Sequence, residues 1–217
     1  MENRIIVVSG IKGGTGKSTT AILLANYFHD KNIPVIVFDA DIQGSVAFER
    51  SDDLKNNPGK EPNWDVHWIA AMDDFGKAAR SLSKIKGVVI IDCPGNIDDP
   101  RLQHLYKAAY MAVIPFRYDR KTVKATYDFA RAFGKVSRAM MLFVPNLITP
   151  FEFFRQSFRE SKSFVEENFQ PYGDVTPKIM DRVELRDCNT LSLTSKQRSE
   201  VRGAFDMIIH YLNIKED

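Results

Sequence analysis

Short apolar runs bounded by turn residues recur along the chain at Ile5 to Val8, Val35 to Phe38, Val66 to Ile69, Val88 to Ile91, Met111 to Phe116 and Met140 to Val144. Stretches of helical length separate most of them. Strands this short and this uniformly apolar are buried on both faces, so the alternation predicts an α/β fold: a single, doubly wound, mainly parallel sheet with helices on both faces. A last strand is expected at Val175 to Ile179.

The intervening segments carry their own patterns. Lys17 to Asp30 contains Ala21, Ile22, Leu24, Ala25 and Phe28, too many apolar positions for an exposed helix, so it is expected to be largely buried. A short helix is expected within Met72 to Ile85, and another over Arg120 to Phe133, ending at Gly134. Phe151 to Phe169 mixes phenylalanines with Arg155, Arg159 and Lys162, either as a helix packed on the sheet or as a dimer or partner surface. Thr194 with Gln197 reads as a capping box for a closing helix whose Val201, Ala204, Phe205, Ile208, Ile209 and Leu212 keep the helical period. The polar run Ser51 to Asn63 reads as a mobile surface loop.

Composition narrows the picture. A length of 217 residues suits one large α/β domain over 1–217. A net charge of +2 with 27% charged residues describes an ordinary soluble surface, so any nucleic-acid contact has to come from local clusters. The only two cysteines, Cys93 and Cys188, are too few for a disulfide framework, a metal cage or the cluster of a nitrogenase-type reductase, and they fit a reducing cytoplasm. The start, Met1-Glu2-Asn3-Arg4, lacks the pattern of a signal peptide, and no apolar run reaches the length of a membrane span. In the closing helix Glu200 and Asp206, and beyond it Glu216 and Asp217, interrupt the cationic face that a membrane anchor needs, so core packing is expected there.

Candidate chemistry centres on Ser9 to Thr20, placed where the first strand ends and the first helix begins. Gly13, Gly14 and Gly16 let successive backbone N–H groups close around a phosphate chain at the positive end of the helix. Lys17 adds a mobile cation, and the Ser18 hydroxyl is the expected ligand of a phosphate-bridging magnesium ion. The strict phosphate-loop pattern has a glycine where this chain has Ile11, and a second lysine, Lys12, follows it. Asp39 and Asp41, just past a buried strand, need a cation or a water to hold, or else form a strand-end Asx turn. Val88 to Ile91 ends in Asp92, followed by Cys93-Pro94-Gly95. That is the Walker B arrangement, in which a strand presents a carboxylate to magnesium.

The run Lys12-Gly13-Gly14-Thr15-Gly16-Lys17-Ser18-Thr19 resembles the deviant Walker A motif of the ParA/MinD family of ATPases, and the resemblance extends in order over nearly the whole chain. Asp39 to Ser45 is similar to the family's Asp-x-Asp-Pro-Gln-Gly motif, with Ile42 in place of proline. The resemblance implies that Lys12 reaches the phosphates of a partner subunit and that Asp41 positions the attacking water. It further implies that Asp39 supports the magnesium shell, with Asp41 and Asp92 nearby. Cys93 to Pro100 matches the second switch, Asn146 the residue that hydrogen-bonds adenine, and Pro177 the nucleotide-proximal proline. Taken alone, Lys12 reads equally as a solvated loop cation and Asn146 as a turn residue.

A small ParA-type ATPase is therefore expected, using ATP and Mg2+, forming a homodimer in the ATP state, and lacking an extra N-terminal DNA-reading domain. The family implies a role in plasmid, mobile-element or chromosome partition or positioning. It also implies slow hydrolysis stimulated by a ParB-like or other partner protein, and a cytoplasmic, nucleoid-associated location. Basic residues on two helices, Arg120, Lys124 and Arg131 on one and Lys196, Arg198 and Arg202 on the other, are candidates for sequence-independent contact with DNA phosphates, or else solvated outer faces. Other readings stay open: a nucleotide-gated recruitment module for conjugation or polar localisation, a MinD-like positioning ATPase, and a metabolic ATP-dependent ligase or synthase.

Overall fold

The computed structural model describes residues 3–70, 72, 74–95, 97 and 99–213. Its strands are β1 (Arg4–Val8), β2 (Val35–Asp39), β3 (Asp65–Trp68), β4 (Val88–Asp92), β5 (Met111–Phe116), β6 (Met140–Pro145) and β7 (Gly173–Val175). They form one sheet in the order β3-β2-β4-β1-β5-β6-β7, and every pairing is parallel. The helices are α1 (Lys17–Asp30), α2 (Ser45–Asn56), α3 (Phe75–Leu82), α4 (Leu102–Ala108), α5 (Arg120–Val136), α6 (Gln156–Asn168), α7 (Val183–Arg186) and α8 (Ser195–Leu212).

Strand alternation divides the core into two. Ile5 and Val7 of β1 join Val89 and Ile91 under α3, α4, α5 and α6, while Ile6 and Val8 join Ile90 and Val113 under α1 and α8. The strands carry apolar residues on both faces because both faces are covered. From β1 the chain winds to β2 on one side, and from β4 it crosses to β5 on the other. The carboxyl end of β1 is therefore a topological switch point, where open α/β sheets bind ligands. In α1 every residue from Thr20 to Phe28 is buried, as the apolar content predicts.

Several expectations need correction. Ser51–Asn56 is not loop but the last turns of α2, which buries only Val46 and Arg50 and so has no apolar stripe to betray it. The last strand is Gly173–Val175 rather than Val175 to Ile179. Thr176 still donates to the Phe143 carbonyl, but Pro177 has no N–H, and pairing resumes only when Ile179 donates to Pro145. The helix from Arg120 passes through Gly134 to Val136. Phe151 to Phe169 is split between a 3-10 turn (Pro150–Phe154) and α6: Phe158 and Phe169 are buried, whereas Phe151 and Phe154 are 78% and 81% exposed.

Candidate nucleotide site

Gly16, at φ +84°, turns the chain in the left-handed region and leads into α1. No side chain caps that helix, so the amides of its first turn stay open at the positive end of the helix dipole. A Cβ on Gly16 would lie 2.6 Å from the Asn146 amide nitrogen, so the position demands glycine twice over. Thr15 Oγ1 and Lys17 Nζ both donate to the Lys12 carbonyl, at 3.3 and 3.5 Å. This folds the backbone of Lys12 inward while the residue itself, like Gly13 and Gly14, stays exposed. Ser18 and Thr19 are half-buried beside it. Gly95, after β4, comes so close that a Cβ there would sit 2.8 Å from the Ile11 carbonyl. Of the expected second switch, residues 96 and 98 lie outside the described residues.

The loop after β2 wraps around Asp39. Asp39 is fully buried, and its carboxylate accepts from the amides of Asp41 (3.1 Å), Val46 (2.9 Å) and Ala47 (3.2 Å). Burial raises its pKa and these amides hold the rise in check. The residue expected to support a magnesium shell thus first anchors its own loop and the start of α2. Asp41 is half-buried and caps a tight turn, its Oδ1 accepting from Gln43 N–H at 3.0 Å. The Asx-turn alternative and the water-aligning role are therefore compatible.

Asp92 lies directly beside Asp39 in the register of β2 and β4 and is 1% exposed. Neither of its oxygens has a hydrogen-bond partner of good geometry. Burial pushes its carboxyl up to about 7, and the nearby Ser18 hydroxyl and Lys17 ammonium offset this only in part. An orphaned buried carboxylate next to a hydroxyl at the end of a phosphate loop fits a magnesium ion completed by phosphate oxygens and water. Among the described residues no three His, Cys, Asp or Glu side chains form a cage of their own, as expected for a cation that arrives with its nucleotide. Cys93 is buried behind the strand, and burial holds its thiol well above the usual range, against a nucleophilic role.

Asn146 directly follows β6 and is 5% exposed; its amide donates to the Thr15 carbonyl at 2.9 Å. The candidate adenine contact is thereby seated against the phosphate loop. Pro177 is exposed and lies against α8, where a Cβ on Gly203 would come within 3.2 Å of it. The chain after it, 179–181, pairs with 145–148 beside Asn146.

The two basic sets do not combine. α5 and α8 cover opposite faces of the sheet, so Lys196, Arg198 and Arg202 cannot join a patch with Arg120, Lys124 and Arg131. On α8 the cations are also paired: Lys196 with Glu184 (3.4 Å), Arg198 with Asp30, and Arg202 with Asp206 (3.5 Å). On α5, Arg120 and Lys124 have no ion pair among the described residues; they line a cleft of about 440 Å³ against α6 that also holds Asp128 and Glu160. Arg131 sits over the Tyr127 ring. No helix among the described residues is long and apolar enough to cross a membrane, and the apolar set of α8 packs in the core. Glu216 and Asp217 lie outside the described residues.

One residue at this edge escapes the motifs. Trp68 ends β3 in register with Asp39, and its indole N–H donates to the Asp41 carbonyl at 2.9 Å. The only sequence signal for it is an aromatic residue within the apolar run Val66 to Ile69.

Comparison with known proteins agrees with this geometry. Residues 6–146 match the family described as the CobQ/CobB/MinD/ParA nucleotide binding domain. A maintenance of carboxysome distribution protein A from Gloeobacter kilaueensis is 29% identical over 146 residues, 64% of this chain and 57% of that protein. The chain spans about half the length of the curated relatives it matches. Among solved structures, an ATP complex of Cyanothece McdA superimposes with a TM-score of 0.73 at 16% identity, over 99% of this chain and 98% of that one. Cobyrinic acid a,c-diamide synthase from Mycobacterium smegmatis, with an ATP analogue and magnesium, gives 0.72 at 19% identity, over 97% and 96%. With the phosphate loop, Asp39, Asp92 and Asn146 at one edge of a parallel sheet and a match over most of the chain, this protein belongs to the CobQ/CobB/MinD/ParA nucleotide-binding family.

Proposed function

We propose that this chain is an ATPase that dimerises on ATP and positions or partitions a cargo over DNA. The observation that carries the reading is exposed Lys12, on an edge that also carries exposed apolar side chains from two loops, from α2 and from the end of β3. Ile11 is 37% exposed, Ile42 80%, Phe48 66% and Trp68 51%. Scattered apolar residues on a surface are ordinary, but four around one site suit a face that a second copy covers. The similarity to a carboxysome distribution protein supports positioning over synthesis.

In this reading the amides of Gly13 to Ser18 and the Lys17 ammonium hold the phosphates, and Asn146 lies beside the base. Ser18 and Asp92 hold the magnesium ion, which supplies charge neutralisation at the phosphate oxygens. Asp41 aligns the attacking water. Lys12 from the second copy offsets charge developing on the transferred group. DNA contact falls to Arg120, Lys124 and Arg131, because the α8 cations already face carboxylates. A partner protein would stimulate hydrolysis, and the protein would sit on the nucleoid.

The test is binding to non-specific duplex DNA with ATP, across a salt series. The expected result is ATP-dependent binding that weakens steeply with salt and is lost in Lys12→Ala, which cannot dimerise. In the double variant Arg120→Ala, Lys124→Ala, the slope of log affinity against log salt becomes shallower by about 2 per protomer. ATP-independent binding, or none at low salt, sinks the DNA role and leaves a nucleotide-gated recruitment module.

A further inference from the structure

We propose that Trp68 is a positioning residue for Asp41, acting as an outer clasp on the loop that carries it. The inference rests on the reading of Asp41 as the residue that aligns water. Between Asp39 and Ala47 the loop is held from inside by the Asp39 carboxylate, through the three amides described above. From outside, the Asp41 carbonyl accepts two hydrogen bonds, from Gly44 N–H at 3.0 Å and from the Trp68 indole at 2.9 Å. Gly44 turns at φ +62°, and a Cβ there would meet the Phe48 ring at 3.3 Å and Trp68 Nε1 at 3.4 Å. The two aromatic side chains therefore close directly over the turn.

Strand register puts the clasp in place. Trp68 is the residue of β3 opposite Asp39, and Ile69 N–H donates to the Asp39 carbonyl at 2.8 Å, so the root of the indole and the root of the loop are joined by the sheet. The indole does not serve to fill a core, because Trp68 is 51% exposed. The other tryptophan, Trp64, is 3% exposed, gives its N–H to Asn26, and has ordinary core work. The Trp68 bond acts on the backbone of Asp41, one residue's length from the carboxylate. Losing it loosens the aim of that carboxylate without touching the phosphate loop. The effect belongs in kcat rather than KM.

The experiment uses Trp68→Phe, which keeps a ring over Gly44 but has no N–H, with Asp41→Ala as a control. Two quantities are read: ATP turnover with Mg2+, and amide hydrogen exchange of 40–48 in the nucleotide-free protein. The expected result is a kcat lower by about three- to tenfold, the weight of one neutral hydrogen bond, with KM for ATP unchanged. Exchange in 40–48 is faster and the melting temperature is held. Turnover within twofold of wild type, or unaltered exchange in 40–48, overturns the clasp. If Asp41→Ala keeps wild-type turnover, the water-aligning reading falls instead, and the clasp falls with it as a catalytic device even where exchange shows that it holds the loop.

Discussion

Asp39 and Asp92 end neighbouring strands in the same register, and both are out of reach of solvent. Their surroundings are nevertheless opposite. After Asp39 the chain turns back into α2, and the amides of Asp41, Val46 and Ala47 converge on the carboxylate. After Asp92 no amide of the described residues converges on the carboxylate: Cys93 N–H is used by the Val8 carbonyl, and Pro94 has no N–H to give. Burial alone therefore does not mark a binding carboxylate. A buried acid whose oxygens are met by its own loop is architecture, and one left unmet beside a phosphate loop is what the proposed magnesium site needs.

The largest effect expected from this contrast is at Asp39. Asp39→Ala leaves three amides unpaired, one in the loop and two at the start of α2, and is expected to lower unfolding free energy by about 3 to 5 kcal/mol, read by urea denaturation. A loss below about 1 kcal/mol would erase the distinction between the two acids. Asp92→Asn has the opposite sign. Removing a buried ionisable group that Ser18 and Lys17 only partly compensate is expected to stabilise the nucleotide-free protein at pH 8 by on the order of 2 kcal/mol, while abolishing the extra stabilisation that Mg2+ adds to ATP. A variant less stable than wild type, or one that keeps the magnesium effect, would remove Asp92 from the metal site.

Much of this was legible in the sequence, because the signals were local. Four apolar residues before Asp92 fix a buried strand, and the spacing of the loop glycines and Lys17 points to phosphate, whereas Lys12 takes its expected role only from the family resemblance. What stayed hidden depends on neighbours distant in the chain. Nothing near Asn146 announces that its amide reaches the Thr15 carbonyl, and nothing near Trp68 announces Asp41. The end of α2 reads as loop because the buried Arg50 is a polar residue satisfied from afar, by Thr190 and the Trp64 carbonyl, so the helix shows no apolar period. Sequence does not say which face of a sheet a helix covers, so only the fold separates the two basic sets.

The smallest effect, and the sharpest for the cause, is the pH dependence of the Asp92→Asn difference. With its carboxyl pushed up to about 7 by burial, native Asp92 keeps a proton that the unfolded chain has released above about pH 4. Below that value both states are protonated and the acid contributes nothing. Between about 4 and 7 the native state binds the extra proton, so each rise in pH favours unfolding, by at most about 1.4 kcal/mol per pH unit for one site. Above 7 the penalty is complete and flat. Asparagine has no such window, and groups that titrate alike in both proteins cancel in the comparison. Urea denaturation of both proteins without nucleotide is therefore expected to show a stability gap that widens by at least about 1 kcal/mol from pH 5 to pH 8. A gap of equal size at both pH values would mean that Asp92 is ionised and satisfied within the native fold, and the contrast with Asp39 would lose its physical basis.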